Sequence, residues 1–470
     1  MVSAGHGRSA EGGRNVVLIS TYEMGRQSFG VASPAAWLEA AGASVTCMDL
    51  AIERLDEQAV AQADLIAFYV PMHMASRLAA SVAERIRVIN PRAHLCFYGL
   101  YAPMNEEFFR ELGAGTILGG ELEEGLVSLY HSLAQLDGAR RADPQPEPTV
   151  SLARQDFLVP KREGLPALDR YARLIVGAGR ERVVGYTEAT RGCKHLCRHC
   201  PIPPVYGGRF RVVPRDVVLE DIRRQVAAGA EHITFGDPDF FNGPGHALPL
   251  VEALHDEFPH LTYDVTIKIE HLVKQAKYLP TLKRTGCLFV TSAVESVDDK
   301  ILERFDKRHT REDVIEVVRH CREVGLHFSP TFVTFSPWTT PRGYLDLLQT
   351  ILDLDLIYSV APIQYAIRLL IPAGSKLLEL AEVQALVEEF DPAALYYPWK
   401  HPDPAVDRLY EDVLAIVATK AAEQSRPATF ASVWDLAQAA HGAQVRSALH
   451  RDDVAPHRAT VPHLNEPWYC

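Results

Sequence analysis

Short apolar runs of strand length alternate with helical stretches from Asn15 onward, and this alternation limits the possible folds more than any other feature of the sequence. Asn15–Ser20 (NVVLIS) reads as a buried parallel strand, because a strand covered on both faces is apolar along its whole length. A loop through Gly25 and Gly30 leads to a helical stretch at Pro34–Ala41. Ser44–Asp49, Asp64–Tyr69, His94–Tyr98 and Thr116–Leu118 supply four further strands. A helix over Ser76–Ile89 and a last one opening at Glu121 and fading near Leu136 complete the pattern. Strand and helix in turn predict a doubly wound, flavodoxin-like α/β sheet of five strands over residues 15–136. Ligands of such sheets sit beyond the carboxyl ends of the strands. Here those ends run through Thr21–Gly30, Val70–Met74, Gly99–Asn105 and Gly119–Glu121. Their glycines serve either as plain tight turns or as points where backbone comes close to a ligand.

The rest of the chain divides by composition. Residues 1–14 are rich in Gly, Ser and Arg without an apolar core, which predicts a disordered start and not a secretory signal. Asp137–Pro148 (DGARRADPQPEP) reads as an exposed linker, and Pro160–Tyr171 as irregular chain with apolar anchors, so 137–182 is taken as linker. From Val183 the alternation resumes. Strands are expected at Val183–Thr187, His232–Phe235, Tyr263–Ile269, Leu288–Val294, His327–Phe335 and Ile363–Ile371. Helices are expected at Asp216–Ala228 with Gly229 as stop, and at Leu248–Asp256, Val273–Thr285, Arg311–Val324 and Gly343–Leu354. Six such units over 183–372 suit a partial (β/α)6 barrel better than a full eight-unit one. Residues 373–470 read as a helical C-terminal cap (Ser375–Glu389, Ala405–Glu423, Ala431–His441) with an irregular tail. No apolar run reaches the about 20 residues that span a bilayer, so the expected location is cytoplasmic without membrane contact. The 48 basic and 60 acidic residues give a net charge of -12, which argues against a broad nucleic-acid surface.

Eight cysteines are present, and three of them, Cys193, Cys197 and Cys200, lie in one stretch with Cys-x3-Cys-x2-Cys spacing just after the strand Val183–Thr187. A tight trio in a chain otherwise poor in cysteine points to thiolates on a metal or cluster, not to a disulfide framework. A structural zinc would need a fourth ligand, which His195 or His199 could supply. A 4Fe–4S cluster held by three cysteines would instead keep one iron open to an outside ligand, a catalytic arrangement. Cys47, Cys96, Cys287 and Cys321 fall in apolar patterns and read as core. The 19 histidines show no metal-type spacing outside the trio, and His195 and His199 are expected to face solvent or a ligand.

This cysteine loop behind a first strand resembles the radical S-adenosylmethionine (SAM) superfamily, over about residues 183–372. The resemblance implies that Cys193, Cys197 and Cys200 hold a 4Fe–4S cluster whose open iron chelates SAM. It further implies an electron-driven cleavage of SAM to methionine and a 5′-deoxyadenosyl radical that acts on a small-molecule or unknown substrate. An electron donor such as flavodoxin or ferredoxin would be the partner. Asp237, in Phe235-Gly236-Asp237-Pro238-Asp239, stands where the family carries a Gly-Gly-Glu-like motif for the SAM amino group, although the glycine pair is missing. Ser292 and Glu295, at the end of the fourth strand, match the stretch near the SAM ribose and carboxylate. His199 takes the place of the aromatic residue that packs on adenine. Glu270, with Lys268 on the third strand, and Arg368 on the sixth are further cofactor-binding candidates, and Arg368 needs a carboxylate partner if buried.

A five-strand α/β domain ahead of such a barrel resembles the cobalamin-binding subclass, which implies either cobalamin as a further cofactor with methyl transfer as the reaction, or the same fold without the cofactor and a rearrangement or C–S or C–Se bond formation. The usual Asp-x-His-x-x-Gly loop is replaced by Tyr22-Glu23-Met24-Gly25, and no histidine falls between Asn15 and Gly30. Methylthiotransferases share the layout, but carry a cysteine triad in the first domain where this chain has only Cys47 and Cys96. The ending Asn465-Glu466-Pro467-Trp468-Tyr469-Cys470 resembles a subfamily with a Cys-Sec-Ala-Glu-Pro or Cys-Cys-Ala-Glu-Pro tail, as if the chain stopped at a selenocysteine codon. The reading from another class is a non-catalytic zinc- or iron–sulfur-binding module.

Overall fold

The computed structural model describes residues 13–135, 149–177, 179–420, 425–442 and 462–465. The Gly/Ser/Arg-rich start up to residue 12, the linker Asp137–Pro148 and the terminal Cys470 lie outside the described residues. The chain forms two compact units, one built mainly from residues up to Pro166 and one from Ala167 onward.

In the first unit the strands are β1 (Asn15–Ser20), β2 (Ser44–Asp49), β3 (Leu65–Tyr69), β4 (His94–Tyr98), β5 (Thr116–Gly120) and β6 (Val150–Ser151). They form one parallel sheet in the order β2-β1-β3-β4-β5-β6. The first five keep the flavodoxin-like order; the apolar runs of β1, β3, β4 and β5 are buried on both faces, while β2 lies at the edge with Ser44 and Thr46 exposed. Helices Phe29–Ala40, His73–Ile89 and Glu123–Gln135 are among the crossovers. The sixth strand, only two residues long in a Pro-rich stretch, carries no periodicity that a sequence reading can use.

The glycines at the carboxyl edge of this sheet make room for the chain's own atoms. A methyl group at Gly30 would lie 2.1 Å from the Tyr69 ring, and one at Gly120 2.2 Å from the Ser151 carbonyl oxygen of β6. At the same edge the hydroxyls of Ser20 and Ser28 are fully buried and find no hydrogen-bond partner among the described residues.

The second unit contains β7 (Arg173–Ile175), β8 (Glu181–Thr187), β9 (Thr190–Gly192), β10 (Phe210–Val212), β11 (His232–Phe235), β12 (Thr262–Thr266), β13 (Cys287–Glu295), β14 (His327–Phe332) and β15 (His463–Leu464). The main sheet runs β14-β13-β12-β11-β8-β7-β15. From β14 to β8 all neighbours are parallel, while β7 and β15 add an antiparallel margin. The result is a curled half-barrel with helices between its parallel strands. Local signals set those helices. Arg311–Val324 starts in a reciprocal capping box of Thr310 and Asp313 and ends at Gly325 with φ 71°.

Three expectations are corrected. The run Ile363–Ile371 is not a strand. Pro362 opens a 3-10 turn, Pro362–Tyr365, and the Gln364 side chain accepts the Phe332 backbone N–H at 2.8 Å, a bond a ladder neighbour would otherwise make. Only one parallel bridge remains, Phe335 to Arg368. The stretch Val273–Thr285 is interrupted at Gln275 and the 3-10 turn Ala276–Tyr278, giving the helices Ile269–Lys274 and Leu279–Arg284, the second with Pro280 in its first turn. In 375–389 there are only short turns, Lys376–Glu379 and Ala381–Gln384, after which Val387 bridges to Trp399. The helices Pro404–Lys420 and Arg426–His441 do form.

Candidate functional site

The carboxyl ends of β8, β11, β12 and β13 carry the chemistry-bearing residues of the second unit. Beyond β8 the chain makes the short strand β9, then the cysteine loop, and returns as β10. The two pair antiparallel, with Thr190 opposite Val212 and Gly192 opposite Phe210, so the loop is pinned at its base. Gly192 is required there. Its φ is 73°, and a methyl group would meet the Tyr206 ring at 2.4 Å and the Arg209 carbonyl oxygen at 2.6 Å.

Inside the loop Cys197 is buried, and Cys193 and Cys200 are half-buried. Burial pushes the Cys193 thiol up, and that of Cys200 up to about 12, where its two neighbouring cysteines add to the effect. Such thiols stay protonated until a cation stabilises their thiolates, which suits a metal-bound trio better than a free nucleophile. Backbone bonds fix the loop from both sides. The Lys194 N–H points at Asn242 Oδ1 (3.4 Å), and the Arg198 N–H donates to the Phe305 carbonyl (2.9 Å).

His199 and His195 do not face solvent, which corrects part of the expectation. The His199 ring lies 4.6 Å from that of Phe305, and its Nε2 is 2.9 Å from Glu295 Oε1. Glu295 ends β13 at φ 68° and also accepts from Lys307 Nζ at 3.3 Å. Burial alone would raise its carboxyl, but Lys307 and His199 outweigh it and hold it down at about 2. His195 is turned the other way, toward Asp239 and His271.

Asp237, at the end of β11, accepts from the Ala189 N–H (2.9 Å) and the Thr190 hydroxyl (2.6 Å), and burial pushes its carboxyl up to about 7. It braces the approach to the cysteine loop. Lys268 and Glu270 are not on a strand, because β12 ends at Thr266; Lys268 precedes the helix Ile269–Lys274, and Glu270 lies in its first turn. Their side chains pair at 3.0 Å, and hydrogen bonds from Lys274 and Lys268 overcome burial to hold Glu270 at about 2. The Ser292 hydroxyl on β13 is fully buried and finds no hydrogen-bond partner among the described residues.

Arg368 has partners within the chain. It donates to Asp407 Oδ1 (2.8 Å) and the Trp399 carbonyl (3.0 Å), with its guanidinium carbon 3.8 Å from the Trp399 ring centroid. Its expected carboxylate is Asp407, from the helix Pro404–Lys420. Sequence reasoning missed Asp239, His271 and Lys307. Only the Asp-Pro-Asp at the end of β11 carried any local signal.

The profile of the radical SAM superfamily matches residues 187–340, from the end of β8 to the turn after β14. The chain carries a radical SAM domain. The ribosomal protein uS12 methylthiotransferase RimO of Porphyromonas gingivalis is 27% identical over 188 residues, 37% of this chain and 42% of that protein. This chain therefore spans less than half the length of that curated relative. The cobalamin-dependent SAM radical enzyme OxsB, solved with aqua-cobalamin bound, superposes with a TM-score of 0.65 at 15% identity, over 85% of this chain and 66% of that one. The radical SAM methyltransferase TsrM from Kitasatospora setae, solved with cobalamin and a 4Fe–4S cluster bound, gives 0.62 at 17% identity, over 91% and 99%. At these identities the likeness is one of fold: a cobalamin-binding-like parallel sheet followed by a radical SAM half-barrel. Among the described residues no helix is long and apolar enough to cross a membrane.

Proposed function

We propose that the chain is a radical SAM enzyme in which Cys193, Cys197 and Cys200 hold a 4Fe–4S cluster. The observation that carries this reading is the cysteine loop at the carboxyl end of β8, pinned by the β9–β10 pair, with the thiols of Cys193 and Cys200 pushed up by desolvation so that a cation favours their ionised form. When bound, such a cluster keeps an open iron for SAM and supplies the electron for its reductive cleavage. The chain's own part is to seat and orient. The unpartnered Ser292 hydroxyl offers a hydrogen bond to SAM, and Asp237 and Glu270 supply carboxylates along the same strand ends. His199, held by Glu295, sets the wall beside Cys200. A small-molecule substrate and an external one-electron donor of the flavodoxin or ferredoxin kind complete the reading. Anaerobic reconstitution with iron and sulfide tests it. Brown absorbance and release of 5′-deoxyadenosine or a methylated product after reduction with SAM is expected. One zinc, no cluster and no consumption of SAM would favour the non-catalytic module instead.

Within this reading the first unit binds cobalamin and the reaction is a methyl transfer. Supporting it are the fold shared with OxsB and TsrM and the orphaned Ser20 and Ser28 hydroxyls at the sheet's carboxyl edge. Asn15–Gly30 offers no histidine, so the corrin would be held without a lower ligand from that loop. Cys47 and Cys96 stand inside the sheet, in register with Leu18 and Ala67, a placement that suits packing and not a second cluster. Retention of hydroxocobalamin by the full chain after desalting is the expected result, and its complete loss would leave the first unit without this cofactor.

A further inference from the structure

Beside the cysteine loop, three residues from three elements converge. His195 comes from the loop itself, Asp239 from just beyond β11, and His271 from the helix after β12. The ligating atoms His195 Nε2, Asp239 Oδ2 and His271 Nδ1 all lie within 4.8 Å of one another, and each residue is more than nine-tenths buried. Asp239 Oδ1 caps the turn by accepting the Phe241 N–H at 3.2 Å, which leaves Oδ2 for the imidazoles. That oxygen is 2.6 Å from His271 Nδ1 and 3.5 Å from His195 Nε2. Ligand atoms around a tetrahedral zinc stand about 3.3 Å apart, as bonds of about 2.0–2.1 Å require. Those two distances bracket that spacing, while the two imidazole nitrogens, within 4.8 Å of each other, would close by up to about 1.5 Å around an ion.

Ion pairing alone accounts poorly for this geometry. One buried carboxylate needs one imidazolium for neutrality, and a second imidazole aimed at the same oxygen adds desolvation without a matching charge. A divalent cation satisfies all three donors at once. The outer surroundings fit as well. Glu270 Oε2 lies 3.6 Å from His195 Nδ1, on the far side of the ring from Asp239. A carboxylate hydrogen-bonded behind a ligating imidazole turns its other nitrogen toward a metal, and Glu270 would reach that role by closing about 0.7 Å on Nδ1. Lys268, now 3.2 Å from the same Nδ1, retains its 3.0 Å contact with Glu270 for its charge.

We propose that His195, Asp239 and His271 form a mononuclear site for a borderline divalent cation, zinc or iron(II), distinct from the three cysteines. Two histidines and one carboxylate are a donor set both ions accept, and three protein ligands leave a position for water or substrate. Such an ion would clamp the cysteine loop to the ends of β11 and β12. The inference does not rest on the proposed function, since it needs neither a cluster nor SAM.

The test separates the two sites. The full chain carrying C193A, C197A and C200A is loaded with Zn(II), desalted and analysed for metal. About one zinc per chain is expected, and Co(II) in its place should show visible d–d bands without thiolate charge transfer. Adding H271A or D239N should abolish both signals. No retained zinc, or zinc retained equally with H271A, would overturn the proposal. Should the chain without the cysteine trio fail to fold, the wild-type chain and H271Q are reconstituted with iron and sulfide and then loaded with Zn(II). Loss of zinc in H271Q with cluster iron unchanged supports the site, and equal zinc in both chains refutes it.

Discussion

Gly192 allows the sharpest test of how the cysteine loop is built. At φ 73°, an alanine pays the left-handed penalty of about 1–2 kcal/mol. Its methyl group would also sit 2.4 Å from the Tyr206 ring and 2.6 Å from the Arg209 carbonyl oxygen. The carbonyl is backbone inside the turn that leads into β10 and cannot swing aside, so crowding adds about 1–3 kcal/mol. Gly207 is the natural control. It lies in the same loop at φ 56°, with nothing within 4 Å of its added methyl group. G207A therefore pays the conformational penalty alone. The difference between the two variants, about 2 kcal/mol, should appear as about 3 °C in Tm for the metal-free protein, as the size of the second unit dictates. After reconstitution, G192A should also retain less iron and sulfide than G207A. Equal Tm and equal cluster content in the two variants would refute the idea that the β9–β10 pair holds the loop.

Further expectations concern buried charge and reactivity. Glu295 is held near 2, below its unfolded value of about 4.3, so its contribution is present above about pH 4.3 and is lost as pH falls toward 2. E295Q should therefore cost about 3 kcal/mol in urea unfolding at pH 7, with the gap from wild type narrowing below about pH 4.5; a pH-independent gap would deny the ion pair. R368K should lower the urea midpoint by the equivalent of about 1–2 kcal/mol, because an ammonium cannot both stack on Trp399 and reach Asp407 and the Trp399 carbonyl; an unchanged midpoint would count against that brace. Burial pushes the thiols of Cys47 and Cys321 up to about 12, so iodoacetamide at pH 8 should leave both unmodified in the native protein, as mass mapping would show.

Much of this architecture was readable from local pattern. β1, β3, β4 and β5 are apolar runs buried on both faces, and the cysteine spacing lies within eight residues of chain. What the sequence concealed depends on long-range contact. The run Ile363–Ile371 has the apolar character of a strand, yet one side chain, Gln364, takes the bond that would have extended the ladder. His195 and His271 are far apart in the chain and meet only because β8, β11 and β12 are neighbours in parallel. No spacing rule links residues that topology alone brings together. The partner of Arg368 was expected as a type but not as a residue, because Asp407 arrives on a helix beyond the barrel.

The antiparallel margin of the second sheet has a consequence for solubility. β7 would present open N–H and C=O groups to any passing strand, and in the folded chain β15 covers them, with the Asn465 side chain accepting the Arg173 N–H at 2.7 Å. Among the described residues His463, Leu464 and Asn465 do this covering, and they lie nearly 300 positions away from the strand they protect. Detachment of that short segment would turn a finished border into a template for self-association. His463, Leu464 and Asn465 thus guard against aggregation, a task apart from whatever chemistry occurs at the strand ends.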